Sequence, residues 1–169
     1  LTTVTPSIPR SATRPDLSPD GQRVFFNPGP DPFRAAIASR DLPSGRDQAV
    51  TSASETVMGA QALALSPDGR WLAVTRPARQ SIPHVFVIPS SGGEPRALAT
   101  GVTDWSIDSG IAWSRDSRSV FVVRTVGPRS AQREIWQVPV DGAEPRDTGI
   151  KWSGPISRIS ASADGRLAL

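Results

Sequence analysis

The sequence of 169 residues has no cysteine and no tyrosine, and histidine, methionine and lysine occur once each. Without cysteine the chain forms no disulfide and offers no thiolate ligand to a metal. No apolar run approaches the roughly 18 residues that a membrane-spanning helix needs, so we expect no membrane span in this chain. Hydrophobic residues make up 37% of the sequence and charged residues 21%, which is the composition of a globular protein.

The pI of about 10.8 does not by itself indicate a nucleic-acid partner. The formal net charge is only +3, and almost no group titrates between the single histidine and the arginines, so a small positive excess persists to high pH. Binding a phosphate backbone requires arginine or lysine clustered on one face, whereas the arginines here are scattered along the chain. We therefore do not expect this protein to bind nucleic acid.

A tetrapeptide recurs with a period of 48 residues. Ser-Pro-Asp-Gly begins at Ser18 and at Ser66, and degenerate copies begin at Ser114 and Ser162. Proline at the second place, aspartate at the third and glycine at the fourth favour a tight reverse turn, and a residue that recurs once per repeat has a structural role in each copy. We assign such turn roles to Ser18, Pro19, Asp20, Gly21, Ser66, Pro67, Asp68, Gly69, Asp116, Asp164 and Gly165.

The third copy of the turn departs from the pattern, because Ser117 stands where the other copies have glycine. Serine adopts a positive φ less readily than glycine does. The sequence therefore predicts a looser turn, or a turn of another type, in the third repeat.

Short apolar segments with the length of strands flank each turn. Those that follow the turns, at 24–26, 71–74 and 120–123, are apolar on both faces, as expected for a sheet that is covered on both sides. A third strand follows at 84–89 and 134–139 and a short fourth one at 97–99, whereas the third strand of the first repeat, around 35–39, is degraded.

Four-stranded units of this size cannot bury their own apolar faces and must stack on one another. The sequence predicts an all-β protein, a β-propeller of four-stranded antiparallel blades. We place the blades at 8–56, 57–102 and 103–150, with a truncated blade at 155–169. A β-sandwich is the alternative architecture, although it would not require a constant spacing of the turns.

The succession of apolar strand, Ser-Pro-Asp-Gly turn, second apolar strand, loop, IWQVP-like strand and DG-x-EPR hairpin over 61–150 resembles the TolB-like, WD-type β-propeller repeat. The resemblance implies a partial propeller that acts as a non-catalytic scaffold for a protein or peptide partner, or for a small ligand, in the periplasm or elsewhere outside the cytoplasm. Two alternatives stay open. In the first alternative, the chain is the gating propeller of a prolyl oligopeptidase-like serine peptidase whose hydrolase domain is not in this sequence. In the second, it is the sensory propeller of a signalling protein.

Patterns that carry catalysis or bind metals are absent from the sequence. The nucleophile-elbow pattern G-x-S-x-G does not occur, the calcium-loop spacing D-x-[DN]-x-[DN]-G does not occur, and the single histidine begins a strand. We therefore predict no catalytic residue, no cofactor and no metal site in this chain.

In an antiparallel meander the tight turns share one end of the blade, and the longer, irregular loops lie at the other. Variation that carries function concentrates in such loops on a rigid scaffold, and aromatic and arginine side chains dominate binding hot spots. Packing between blades is the alternative role for the two tryptophans among the candidates. The binding residues that we predict are Arg79, His84, Asp104, Trp105, Arg129 and Trp152.

Overall fold

The computed structural model describes residues 15–28, 36–51, 62–75, 85–99, 110–126, 132–156, 158–162 and 164–169. These residues form strands and turns and contain no helix. Within them, accordingly, no helix has the length and apolar character needed to cross a membrane. The predicted all-β class is confirmed.

The described strands form three four-stranded sheets and one two-stranded sheet, which we call blades 1 to 4. Blade 1 consists of β1 (Asp16–Leu17), β2 (Arg23–Phe26), β3 (Ala38–Asp41) and β4 (Asp47–Ala49). Blade 2 consists of β5 (Ala62–Leu65), β6 (Trp71–Thr75), β7 (Val85–Pro89) and β8 (Arg96–Leu98). Blade 3 consists of β9 (Ala112–Trp113), β10 (Ser119–Val126), β11 (Gln132–Pro139) and β12 (Arg146–Trp152). Blade 4 consists of β13 (Ser160–Ala161) and β14 (Leu167–Ala168). Neighbouring strands pair antiparallel in sequence order, so each blade is a meander.

The core consists of the faces that neighbouring blades turn toward each other. Alternate residues of a strand point to opposite faces of the sheet. In β6, Leu72 and Val74 pack with side chains of blade 1, whereas Ala73 packs with side chains of blade 3. In β10, Val122 packs toward blade 2 and Val123 toward blade 4. Blades 2 and 3 therefore each bury both faces, and stacking supplies the apolar contacts that an isolated blade would lack.

Strand boundaries in blades 1 and 3 differ from the sequence prediction. The third strand of blade 1 was expected around 35–39, but it begins at Ala38 and continues to Asp41. In blade 3, β12 extends to Trp152, past the predicted blade boundary at 150, and Lys151 of this strand pairs with Glu134. The pairing continues because the register shifts between Glu134 and Trp136 and because Gly149 takes a φ of 77°. The sequence pattern does not reveal this bulge, which brings the end of β12 back into register.

The prediction of a different third turn is wrong. Ser117 adopts a φ of 59°, and its N–H donates to the carbonyl of Ser114 at 3.0 Å, as the glycines of the first two turns do to their serines at 2.8 Å. The left-handed conformation is unfavourable for serine. Its hydroxyl, however, accepts a hydrogen bond from the N–H of Asp68 at 3.1 Å, which a glycine at this place would not do.

Hydrogen bonds between residues 49 positions apart join consecutive blades. The N–H of Leu65 in blade 2 donates to Asp16 Oδ2 in blade 1 at 2.7 Å. The indole Nε1 of Trp113 in blade 3 donates to the carbonyl of Ala64 in blade 2 at 2.9 Å. The first strands β1, β5, β9 and β13 contact each other in this succession. They line a common cavity of about 640 Å³ on the inner side of the four blades.

Candidate binding site

Five of the six predicted binding residues, namely Arg79, His84, Asp104, Trp105 and Arg129, lie outside the described residues. The sixth, Trp152, is the last residue of β12 and pairs with Arg133 of β11. We call this end of blade 3, where β10 and β12 end and β11 begins, the loop end. Trp152 is 52% exposed.

A buried glutamate organises the loop end of blade 3. Glu134 is 9% exposed, and both of its carboxylate oxygens accept hydrogen bonds. Trp136 Nε1 donates to Oε2 at 3.1 Å, and Lys151 Nζ donates to Oε1 at 3.1 Å. The hydrogen bond from Trp136 and that from Lys151 hold the pKa of Glu134 below its usual value of 4.5. Glu134 is therefore a fixed negative charge at neutral pH.

An arginine adds a positive charge to the same cluster. Arg124 lies directly across from Glu134 in the pairing of β10 with β11, and its guanidinium carbon is 5.0 Å from the centre of the Trp136 ring. A guanidinium over an indole face is attracted by the ring quadrupole. The hydrogen bond that Lys151 donates to Glu134 raises the pKa of Lys151. Two cations and one anion are thus held around one indole.

The position of this cluster follows from strand alternation. Val122 and Val138 pack against blade 2, and Trp136 packs against the same group of side chains. Arg124 and Glu134 follow on this face because they lie two residues from Val122 and Trp136 respectively. The cluster therefore lies at the loop end of the contact between blades 2 and 3. Trp152 and its partner Arg133 lie on the opposite face of blade 3.

The absence of a side chain at Gly154 leaves room for the exposed indole of Trp152. A β-carbon added at Gly154 would come within 2.8 Å of Trp152 Nε1, so the indole lies directly against the backbone that follows β12. Ile150, two residues before Trp152, is also 38% exposed. The loop end of blade 3 thus presents an apolar pair on one face and the charged cluster on the other.

At the opposite end of the blades, the serine and aspartate of each turn are bonded to each other. Ser18 Oγ donates to Asp20 Oδ1 at 2.6 Å, and the same oxygen accepts the N–H of Gln22 at 3.0 Å. These two bonds hold the pKa of Asp20 below its usual value, and the pKa of Asp116 is lowered in the same way. Ser18 Oγ in turn accepts the N–H of Arg23 at 2.8 Å. Each of these carboxylates therefore accepts hydrogen bonds from groups of its own turn.

A second cavity, of about 570 Å³, lies between the turns of blades 1 and 2 and includes Asp20, Asp41 and Asp68. Within the described residues, no group of three or more histidine, cysteine, aspartate or glutamate side chains is arranged to hold a metal ion. The local hydrogen bonds of these carboxylates account for their positions.

Sequence reasoning did not identify Glu134 and Lys151 as members of one cluster. The two residues are 17 positions apart, and they meet only because the bulge in β11 and β12 sets their register. Glu134 stands between Arg133 and Ile135, and nothing in the sequence near it points to Lys151. Asp16 was missed as well, because the segment 14–17 reads as a poor strand that contains Pro15.

Comparisons with known proteins show what the chain is similar to. No family model matches it, and no curated protein matches it by sequence. Among solved structures, TolB from Acinetobacter baumannii matches with a TM-score of 0.69 and 20% identity, over 93% of this chain and 37% of that one. TolB from Agrobacterium tumefaciens matches with a TM-score of 0.59 and 20% identity, over 92% of this chain and 51% of that one.

A structure from work on two prolyl endopeptidases is similar as well, with a TM-score of 0.59 and 19% identity, over 92% of this chain and 25% of that one. The chain spans about a third to a half of the TolB structures that it matches. Structural similarity at sequence identities of about 20% shows the fold alone, so the function is a proposal. The three complete blades and the two-stranded fourth sheet thus have the fold of a TolB-like β-propeller.

Proposed function

We propose that this chain is a non-catalytic β-propeller segment that binds a protein or peptide partner at the loop end of blade 3. The observation that carries the proposal is the exposed Trp152 at the end of β12, next in sequence to Lys151, whose ammonium bonds Glu134 of the cluster on the other face of blade 3. Aromatic side chains with cations nearby are the usual centres of binding energy at protein interfaces. The strands beneath hold this group rigid, so little conformational entropy is lost on binding.

The charges of the loop end define the partner further. Lys151 pairs with Glu134, and its half-exposed side chain gives the outer edge of the loop end a positive charge. The complementary ligand is a peptide segment that places an apolar side chain against Trp152 and a carboxylate near Lys151, its neighbour on the outermost strand of the blade. A small acidic and apolar ligand is the alternative of the same chemistry.

Selection of peptides from a random library displayed on phage tests this proposal. The dissociation constants of the selected peptides are measured by fluorescence anisotropy with the unchanged chain and with two variants of β12. Trp152→Ala removes the exposed indole and is expected to weaken binding by about tenfold or more, as for a central interface residue. Arg146→Ala, at the turn end of the same strand, is the matched control and is expected to leave binding within about twofold.

Selected peptides that bind the Trp152→Ala variant as tightly as the Arg146→Ala variant would contradict the loop-end site. Lys151→Gln then separates the two parts of the proposed surface. It should reduce the affinity of acidic peptides and leave that of neutral ones unchanged. If the charge of the peptide makes no difference, the cluster serves the fold of blade 3 and not a ligand.

A gating propeller of a serine peptidase is the second candidate function. The similarity to a prolyl endopeptidase structure and the cavity along the first strands favour it, because a propeller channel can admit short peptides to a hydrolase domain. The reading frame of the gene decides between the two. An α/β-hydrolase domain encoded in the same polypeptide would support the gate, and a polypeptide of propeller blades alone would exclude it.

The proposed location is outside the cytoplasm. It rests on the resemblance to TolB-like propellers, which the similar solved structures reinforce at the level of the fold. Fractionation of cells that express the full gene product, with a periplasmic and a cytoplasmic marker, measures the location directly. Recovery with the cytoplasmic marker would refute it.

A further inference from the structure

The first strand of each blade has one edge without a neighbouring strand of its own sheet, and this edge faces the 640 Å³ cavity. In an antiparallel pair, residues alternate between those bonded to the partner strand and those whose N–H and C=O point away from it. In blade 3, the N–H of Ser114 bonds to the carbonyl of Ser119. The preceding residue, Trp113, therefore directs its backbone N–H away from β10. The same alternation applies to Leu17, Leu65 and Ala161 at the corresponding places.

Between blades 1 and 2 a carboxylate of the chain itself occupies this edge. Asp16 Oδ1 accepts the N–H of Leu17 at 2.9 Å, and Asp16 Oδ2 accepts the N–H of Leu65 at 2.7 Å. Leu17 and Leu65 occupy the same place in successive repeats, so one carboxylate bridges two equivalent backbone donors. Hydrogen bonds to an ionised acceptor are roughly twice as strong as those between neutral groups.

Between blades 3 and 4 the equivalent pair of donors has no such acceptor. Ala112 stands two repeats after Asp16, and a methyl group cannot accept a hydrogen bond. In the part of the chain that the structure describes, no acceptor bonds the N–H of Trp113 or that of Ala161. Both residues line the 640 Å³ cavity, and so do Ala112 and the exposed Arg158.

The geometry of the two blade pairs is comparable. β13 contacts β9 as β5 contacts β1, and Ala112 and Ala161 pack in one group of side chains. A carboxylate oxygen pair placed beside Ala112 would therefore reach two donors arranged like those that Asp16 bridges. Arg158 adds a guanidinium to the same cavity, which favours an anion there.

We propose that the inner cavity binds a carboxylate of a peptide between the backbone N–H groups of Trp113 and Ala161, next to Arg158. The carboxylate takes the position that Asp16 takes between blades 1 and 2. This site lies on the first strands of blades 3 and 4 and is separate from the loop end at Trp152, so either site can fail without the other. An acidic side chain and a peptide C-terminus offer the same chemistry, and the experiment distinguishes them.

Three short peptides and the amide resonances of the chain test the site. Acetyl-Gly-Glu-Gly-amide carries a side-chain carboxylate, acetyl-Gly-Gly-Gly carries a terminal one, and acetyl-Gly-Gln-Gly-amide is the neutral control. Each is added at millimolar concentration to the full, isotope-labelled chain. We expect the amide protons of Trp113 and Ala161 to move downfield with a carboxylate peptide, while those of Leu17 and Leu65 stay in place because Asp16 already occupies them. The carboxylate peptide with the larger effect identifies the source.

Two variants alter the site in opposite senses. Arg158→Gln removes the nearby cation and should weaken binding by about threefold to fivefold, the effect of one partly exposed charge. Asp16→Ala vacates the built-in site, so the amide protons of Leu17 and Leu65 should now respond to the same peptides. Asp16→Asn keeps one acceptor oxygen and replaces the other with a nitrogen that cannot accept, so it is the intermediate case in which one of the two amide protons should stay bonded.

The proposal is overturned if the glutamine peptide moves the Trp113 and Ala161 resonances as much as the carboxylate peptides do, or if none of the peptides moves them. It is also overturned if Arg158→Gln leaves the affinity unchanged and the vacated site of Asp16→Ala takes up no carboxylate. Because the peptide comparison uses the unchanged chain, a variant that fails to fold does not affect it. Neither result bears on phage-selected peptides at Trp152.

Discussion

Replacing Ser117 with alanine tests whether the third turn is held to the second turn by one hydrogen bond. The N–H of Asp68 donates to Ser117 Oγ at 3.1 Å, and Ser117 is 8% exposed. A neutral hydrogen bond of this kind contributes about 1 kcal/mol to the free energy of unfolding. Alanine loses the bond but keeps the unfavourable φ of 59°. The expected loss is therefore about 1 kcal/mol, or about 3 °C in Tm for a chain of this length.

Glycine at the same place provides the comparison that separates the two effects. Ser117→Gly loses the same hydrogen bond, but it relieves a backbone conformation that costs an L-residue about 1 kcal/mol. Its free energy of unfolding should stay close to that of the unchanged chain, and above that of Ser117→Ala. Urea titrations followed by tryptophan fluorescence measure the midpoints. If Ser117→Gly is the less stable of the two, the conformation of the turn costs nothing and the reasoning is wrong.

Three further changes have defined outcomes. The lowered pKa of Glu134 means that its charged form stabilises the fold above the unfolded pKa of about 4.5 and that this contribution is lost as the pH falls through the lower folded value. Glu134→Gln should thus lower the urea midpoint at about pH 7 and reduce its change on acidification to about pH 3. Trp113→Phe removes the bond from Nε1 to the Ala64 carbonyl and should cost about 1 kcal/mol in urea unfolding. Gly154→Ala places a β-carbon 2.8 Å from Trp152 Nε1, so the exposed indole should move. A shifted emission spectrum with an unchanged midpoint is expected, and an unchanged spectrum would contradict the contact.

The turns could be predicted from the sequence because their physics is local. In the first turn all the hydrogen bonds of Ser18 and Asp20 reach residues within five positions. The Ser-Pro-Asp-Gly tetrapeptide therefore identifies the two side chains that form them. The apolar second strands were equally readable, since β6 and β10 carry apolar residues on both faces. The constant spacing of the turns then fixed the all-β class and the propeller, both of which the structure and its similar folds confirm.

The loop end could be predicted only in outline. The sequence indicated Trp152 as a candidate, but its exposure and its contact with Gly154 depend on how β12 ends. The ion pair of Glu134 with Lys151 depends on a register shift that no local pattern encodes. The role of Ser117 was misjudged for a similar reason, since the partner of its hydroxyl lies 49 positions earlier in another blade. Whether Trp152 binds a partner stays a prediction.

The bonds between blades have a consequence for anyone who would lengthen this array by copying its units. Each bond joins residues 49 positions apart, one more than the repeat, and runs from a donor in one blade to an acceptor in the preceding blade. Each blade must therefore carry a donor that reaches the preceding blade and an acceptor that receives a bond from the following one. Blade 1 offers a carboxylate at Asp16, whereas blade 2 has Ala64 at the same place. In a designed protein built from copies of blade 2, the backbone N–H at the place of Leu65 would have no carboxylate acceptor at any junction. Transplanting the aspartate of blade 1 into each copy would give every junction its own acceptor, and would close the positions at which a foreign carboxylate is proposed to bind.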